Sequence, residues 1–173
     1  MLNLILVLMT LINGTADKAK SIYDYSFKTI DGQTVNFSSF KGKKLLIVNT
    51  ASKCGYTKQY ADLEKLHELY GDKVVLIAFP SGNFGGQEFE DNAQIKTFCT
   101  STFNTSFTIA EKTEVKGAAI SDLFKFLTTS ENPDFTGEIK WNFEKFLINE
   151  EGKLVHRYRS AVNPLDNSIT KNF

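Results

Sequence analysis

Cysteine is scarce in this chain: Cys54 and Cys99 are the only two in 173 residues. Thr57 holds the position three after Cys54, so there is no C-x-x-C pair, and a dithiol reductase of the usual kind is excluded. Histidine is equally sparse, and His67 and His156 show no paired spacing with each other or with the cysteines, which argues against zinc. His67 sits on an apolar helical face and is expected to pack there, while His156 is expected on a solvated strand. Neither is placed to serve as the base of a cysteine protease. Charge of one sign is also lacking, because 20 Lys and Arg balance 20 Asp and Glu. No basic field exists to recruit nucleic acid, so no such partner is expected. No internal repeat or low-complexity segment occurs, and nothing in the pattern asks for a metal or an organic cofactor.

What is present is apolar mass: 42% hydrophobic and 13% aromatic residues suffice for one well-packed domain. The run "LNLILVLMTLI", Leu2 to Ile12, is too short for a confident membrane span. Its length fits the apolar region of a secretory signal, and Gly14 and Ala16 supply small residues at peptidase spacing. The expectation is a signal peptide over 1–16 and a domain over 17–173, exported to a periplasm or the exterior. No lysine or arginine precedes the run, so the competing reading is an apolar first element of a cytoplasmic protein. No cysteine follows it closely, so neither a lipoprotein anchor nor any other stable membrane anchor is expected.

Strand and helix patterns alternate thereafter, which points to an α/β domain. "SFKTIDGQTVNFSSFKGK" reads as an N-terminal hairpin turning at Asp31-Gly32, with a further turn at Lys41-Gly42. "KLLIVNTA" and "KVVLIAFP" are unbroken apolar strands of the kind buried on both faces. Between them Tyr60, Leu63, Leu66, His67 and Tyr70 recur at helical spacing, so Thr57 to Tyr70 reads as a helix ended by Gly71. Such a unit is right-handed with parallel strands. The glycine-rich loop "GNFGGQ", a helix over "EDNAQIKTFCT" and another over "AISDLFKFLTT" follow. "KWNFEKFLIN" and "LVHRYRS" read as a hairpin around "EEGK", with a short helix at the end. This order is that of the thioredoxin fold with an extra N-terminal β-hairpin and a helical insertion.

Cys54 then falls just past the carboxyl end of a central strand, at or one turn before a helix start. Exposed N–H groups favour an anion there, and adjacent Lys53 adds positive charge. A cysteine used as a small buried hydrophobe fits poorly between Lys53, Gly55 and Thr57. A reactive thiolate that needs no histidine to activate it remains, and peroxide is its leading target.

The stretches "NTASKCGYT", "FPSGNFGGQE" and "KWNFEKFLI" resemble three blocks of the glutathione peroxidase family, in that order and at similar separations. The likeness runs from about Tyr23 to Asp166. It implies a peroxidatic residue at Cys54, with Gln87, Trp141 and Asn142 of the "WNF" strand completing a catalytic tetrad. Such types suit the reaction, since attack on an O–O bond builds negative charge on the departing oxygen, and amide and indole N–H groups are neutral donors.

Attack leaves Cys54 as a sulfenic acid, with which a second thiol can condense. Cys99 matches the resolving position of family members recycled by thioredoxin, and no arginine cluster for glutathione appears near the motifs. The expected substrates are hydrogen peroxide and organic or lipid hydroperoxides, and the expected reductant is thioredoxin-like. The helix carrying Cys99 would have to unwind locally each cycle, and Thr100, Ser101 and Thr102 make its end a yielding one. "SENPDFTGEIKW" lacks the longer insertion by which tetrameric members assemble, so a monomer is expected. Departures from the family's habits fall at Lys58, Gly82, Phe89-Glu90 and Thr108, where proline, asparagine, Pro-Gly and proline are frequent. Those at Gly82 and Phe89-Glu90 flank Gln87 and bear on the rigidity of its loop. The alternative function is a peroxide sensor that relays oxidation to a partner through a Cys54–Cys99 disulfide.

Overall fold

The computed structural model describes residues 21–173. The expected signal peptide over 1–16 lies outside the described residues.

Strand β3 (Lys44–Thr50) is buried at every position after Lys44, as an unbroken apolar run demands when both faces of a sheet are covered. It pairs in parallel with β4 (Val74–Pro80), from Lys44 opposite Val74 to Thr50 opposite Pro80. Helix α1 (Gln59–Tyr70) forms the crossover between them. On the other side β3 pairs antiparallel with β6 (Lys145–Ile148), and β6 with β7 (Leu154–Tyr158). The short β5 (Thr108–Ile109) adds parallel to β4, which gives the order β5-β4-β3-β6-β7. An antiparallel pair, β1 (Ser26–Lys28) and β2 (Thr34–Asn36), stands apart as the expected hairpin. Its turn is made possible by Gly32 at φ +80°.

Alternation along β3 and β4 divides the core. Leu46, Val48, Leu76 and Ala78 face α1 and α2 (Asn92–Phe103), against Tyr60, Leu63, Leu66, Ile95 and Cys99. Leu45, Ile47, Ile77 and Phe79 face the opposite side, against Phe27 of β1 and Leu123, Phe124 and Leu127 of α3 (Asp122–Thr129). Asp91 and Ser121 cap α2 and α3 through side-chain oxygens that accept N–H bonds from the first turn. A terminal α4 (Asn167–Thr170) is capped likewise by Asp166. The whole is a thioredoxin fold, with the hairpin added in front and a helical stretch inserted between β4 and β6. No helix among the described residues is long and apolar enough to cross a membrane.

Two boundaries differ from the sequence reading. Helix α1 begins at Gln59 rather than Thr57, because the Thr57 side chain is engaged in the preceding turn. Trp141 and Asn142 lie outside any strand, in a turn before β6. Pairing of β6 with β3 starts only at Val48 opposite Lys145. Beyond it Asn49 still exchanges backbone bonds with Glu144 and Phe143, and its side chain adds two more to the turn.

Candidate active site

The turn that carries Cys54 is closed by Thr57. Its hydroxyl donates to the Ala51 carbonyl at 2.8 Å and accepts the Cys54 N–H at 2.9 Å. The Thr57 N–H meanwhile donates to the Cys54 carbonyl at 3.0 Å. Cys54 is thus held one turn ahead of α1, and the N–H that reaches its Sγ, at 3.4 Å, belongs to Tyr56 of the turn. Cys54 is 9% exposed. The expected help from Lys53 takes another direction: the ammonium lies 4.1 Å from the Phe89 ring centre, where the π face attracts it.

Gln87 is presented by a loop whose tight path requires Gly85 and Gly86, at φ +67° and +63°. Asn83 braces that loop: its Oδ1 accepts the Ser81 hydroxyl and the Val115 N–H, and its amide donates to Glu114. The Gln87 carbonyl accepts the Lys53 N–H at 2.9 Å, so the loop is tied to the Cys54 turn through backbone. Asn142, fully buried, donates through Nδ2 to Gln87 Oε1 at 3.1 Å. That bond occupies the Gln87 carbonyl oxygen and leaves its amide N–H groups as donors. Trp141 is 40% exposed and packs on Phe84, ring centres 5.7 Å apart. The structure therefore gathers Gln87, Trp141 and Asn142 into one cluster and joins it to the segment that holds Cys54.

The turn carrying Trp141 and Asn142 depends on Asn49, a residue that sequence reasoning passed over. Asn49 Nδ2 donates to the Trp141 carbonyl at 3.2 Å and its Oδ1 accepts the Glu144 N–H at 3.0 Å. The Phe143 N–H donates to the Asn49 carbonyl at 2.6 Å, which steadies Phe143 in the left-handed region at φ +67°. Glu144 supports the same turn from beneath. Its buried carboxylate accepts the Lys140 N–H, both Arg157 Nε and Nη2, and Arg159 Nη1. A fully buried arginine and glutamate are stable only as such a paired, saturated set. The available signal was Asn49 itself, a polar residue inside an apolar central strand, which must find partners when buried. Thr57 carried no comparable signal, since its role depends on how the turn closes.

Cys99 lies on the buried face of α2, in the same apolar cluster as Cys54 and Tyr60. Both cysteines are free thiols. Burial pushes the Cys99 pKa up to about 11, opposed by the Tyr60 hydroxyl nearby and reinforced by the charge of Glu88. Of the twelve residues of α2 Ile95 and Cys99 are buried, and the half-buried Phe98 and Phe103 pack beside them on Phe89 and Tyr60. The histidines serve elsewhere: His67 packs on Phe107, and His156 Nδ1 lies 3.1 Å from Asp134 Oδ2, half-buried rather than freely solvated. Among the described residues no group of three or more His, Cys, Asp or Glu is placed to hold a metal ion.

Fold and site define a class, a thioredoxin-fold thiol protein with one cysteine past the strand end, its turn tied through backbone to the loop of an amide and indole cluster. Comparison with known proteins narrows it. The family model "Glutathione peroxidase" matches residues 22–128. The chain is 43% identical over 157 residues to the hydroperoxy fatty acid reductase gpx1 of Synechocystis, which covers 87% of this chain and 93% of that one. It is 40% identical over 150 residues to the glutathione peroxidase-like peroxiredoxin gpx1 of Schizosaccharomyces pombe, covering 85% of this chain and 95% of that one. The crystal structure of Trgpx in apo form superposes with a TM-score of 0.69 at 33% identity, over 88% of this chain and 95% of that one. The chain belongs to the glutathione peroxidase family and is a peroxidase.

Proposed function

We propose that this enzyme reduces hydrogen peroxide and organic or lipid hydroperoxides through Cys54. The thiolate sulfur attacks one peroxide oxygen, the O–O bond breaks, and the departing alkoxide or hydroxide takes up a proton to leave as alcohol or water. Cys54 is left as a sulfenic acid. Gln87, Trp141 and Asn142 supply N–H donors to the oxygen on which charge builds. The observation that carries this reading is the bond from Asn142 to Gln87, in a loop tied by the Lys53 N–H to the Cys54 turn. The half-exposed Trp141 beside it leaves an open approach for a bulky substrate, in keeping with the Synechocystis relative's name as a hydroperoxy fatty acid reductase.

Cys99 then resolves the intermediate. Its sulfur attacks the Cys54 sulfur, a disulfide forms, and the hydroxyl leaves as water with the Cys99 proton. A dithiol protein of the thioredoxin kind returns two electrons and regenerates both thiols. The exposed Thr100, Ser101 and Thr102 leave the end of α2 weakly helical and able to yield, and the fission yeast relative is named a peroxiredoxin. We read the chain as a monomer, because the segment from Ser130 to Trp141 lacks the longer insertion by which tetrameric family members assemble.

NADPH-coupled peroxide reduction with thioredoxin or with glutathione, on wild type, Cys54→Ser and Cys99→Ser, tests the scheme. Multiple turnovers with thioredoxin, lost in both variants, are expected. Undiminished activity in Cys54→Ser would end the reading, and arrest after about one equivalent of peroxide would mark a sensor instead.

A further inference from the structure

We propose that Glu88 is a positioning residue for the peroxide-reducing step, holding the Cys54 turn and the Gln87 loop at a set separation. The inference rests on the roles proposed above for Cys54 and Gln87.

Glu88 follows Gln87 in the chain and is 2% exposed. Its Oε1 accepts two backbone N–H groups, that of Phe89 at 2.8 Å and that of Ser52 at 3.3 Å. Ser52 lies two residues before Cys54. Between these contacts the Lys53 N–H donates to the Gln87 carbonyl. Two segments remote in sequence are thereby laced together, and the lacing that depends on a side chain runs through Glu88. Removing its oxygen would strand two N–H groups, one of them in a buried contact, a costly outcome.

The position is a poor place for an acid. Burial raises the Glu88 pKa, the bonds from Ser52 and Phe89 oppose this, and Lys112 helps last. The Lys53 ammonium is turned to Phe89. Tyr60 and Cys99 are the other titratable groups that feel its charge. Its second oxygen, Oε2, is buried without a partner, as are the Ser52, Thr50 and Tyr60 hydroxyl oxygens. An apolar side chain would avoid that penalty but could not accept the two N–H bonds. The acceptor, rather than the charge, is what the site uses. Placement of reacting groups to a fraction of an ångström governs such rates, so the splint acts on chemistry through Cys54 and Gln87.

Trp141 is the chain's one tryptophan, so stopped-flow fluorescence on the full-length reduced protein follows oxidation of Cys54 by hydrogen peroxide. E88Q keeps an acceptor oxygen, and its peroxide step should stay within about threefold of wild type, with the same pH profile. E88L removes the acceptor and should slow that step at least about tenfold, while reduction of the oxidised protein by dithiothreitol keeps its rate. Should E88L fail to fold, E88D decides: it keeps the charge but is one methylene too short to reach both N–H groups, and it should be slow. A wild-type peroxide rate in E88L, or in E88D where that variant decides, overturns the inference. So does an E88Q rate as low as that of E88L, or a pH limb lost in E88Q, since either would make charge the active property. Cys54→Ser is run in parallel. If it still reacts, the Cys54 reading falls and this inference with it, whereas an inert Cys54→Ser beside a fast E88L sinks this inference alone.

Discussion

Asn142 donates to Gln87 across 55 positions of sequence, Nδ2 to Oε1 at 3.1 Å. The bond fixes which end of the Gln87 amide is spent within the protein and which remains to donate. Two side chains that would otherwise rotate freely become one oriented group, and that makes their substitutions coupled.

Gln87→Ala and Asn142→Ala should each lower the rate of Cys54 oxidation by about 100-fold, the effect typical of losing one preorganised donor to a developing anion. The double variant should fall well short of the product of the two losses, because each single change already disorders the other amide. Stopped-flow oxidation rates for the three proteins check this, and strict multiplicativity would show that the two amides act independently.

Asn49→Ala should cost about 2 to 3 kcal/mol of stability, since it leaves the Trp141 carbonyl and the Glu144 N–H without their buried partner. Catalysis should fall as well, because the turn placing Asn142 is loosened. Urea unfolding together with peroxide turnover measures both; an Asn49→Ala protein with wild-type rates would detach the turn from the chemistry.

Thr57→Val keeps the shape and removes the hydroxyl that bridges Ala51 and Cys54. A loss of about 1 to 3 kcal/mol is expected, with faster alkylation of Cys54 by iodoacetamide as its turn opens. Unchanged alkylation would mean the backbone bonds alone hold the turn.

Cys99, with its pKa raised by burial to about 11 against an ordinary 9.0, favours the folded state while it is protonated. That contribution is whole below about pH 9 and is lost as pH rises toward 11, where the unfolded chain has released the proton and the folded one still holds it. Wild type should therefore lose about 2 kcal/mol more stability than Cys99→Ala between pH 9 and 11. Chemical denaturation at those two pH values decides it, and parallel curves would contradict the shift. At pH 8 the same burial should make Cys99 far slower than Cys54 to alkylate.

Much of this was legible in the sequence, for reasons particular elements show. Strands β3 and β4 are unbroken apolar runs, and burial on both faces leaves such runs little choice but a central parallel pair. The helix with Tyr60, Leu63 and Leu66 announced itself by its spacing, and Asp91 and Ser121 act as ordinary caps. Trp141 and Asn142 were misread as strand because their neighbours are apolar. The chain turns there at Phe143, in the left-handed region, and the turn is held by backbone and side-chain bonds from Asn49 of another strand, which no local pattern records.

The sequence by itself therefore determined the order of elements and the place of Cys54 at a strand end, because these follow from local periodicity and from motifs read in line. Tertiary structure alone decided the contacts: which way Gln87 faces, that Lys53 turns to Phe89, that Thr57 closes the Cys54 turn and that Asn49 and Glu88 hold its surroundings. Such bonds join segments far apart in the chain. Their geometry exists only once the sheet has brought those ends together and burial obliges each polar group to find a partner.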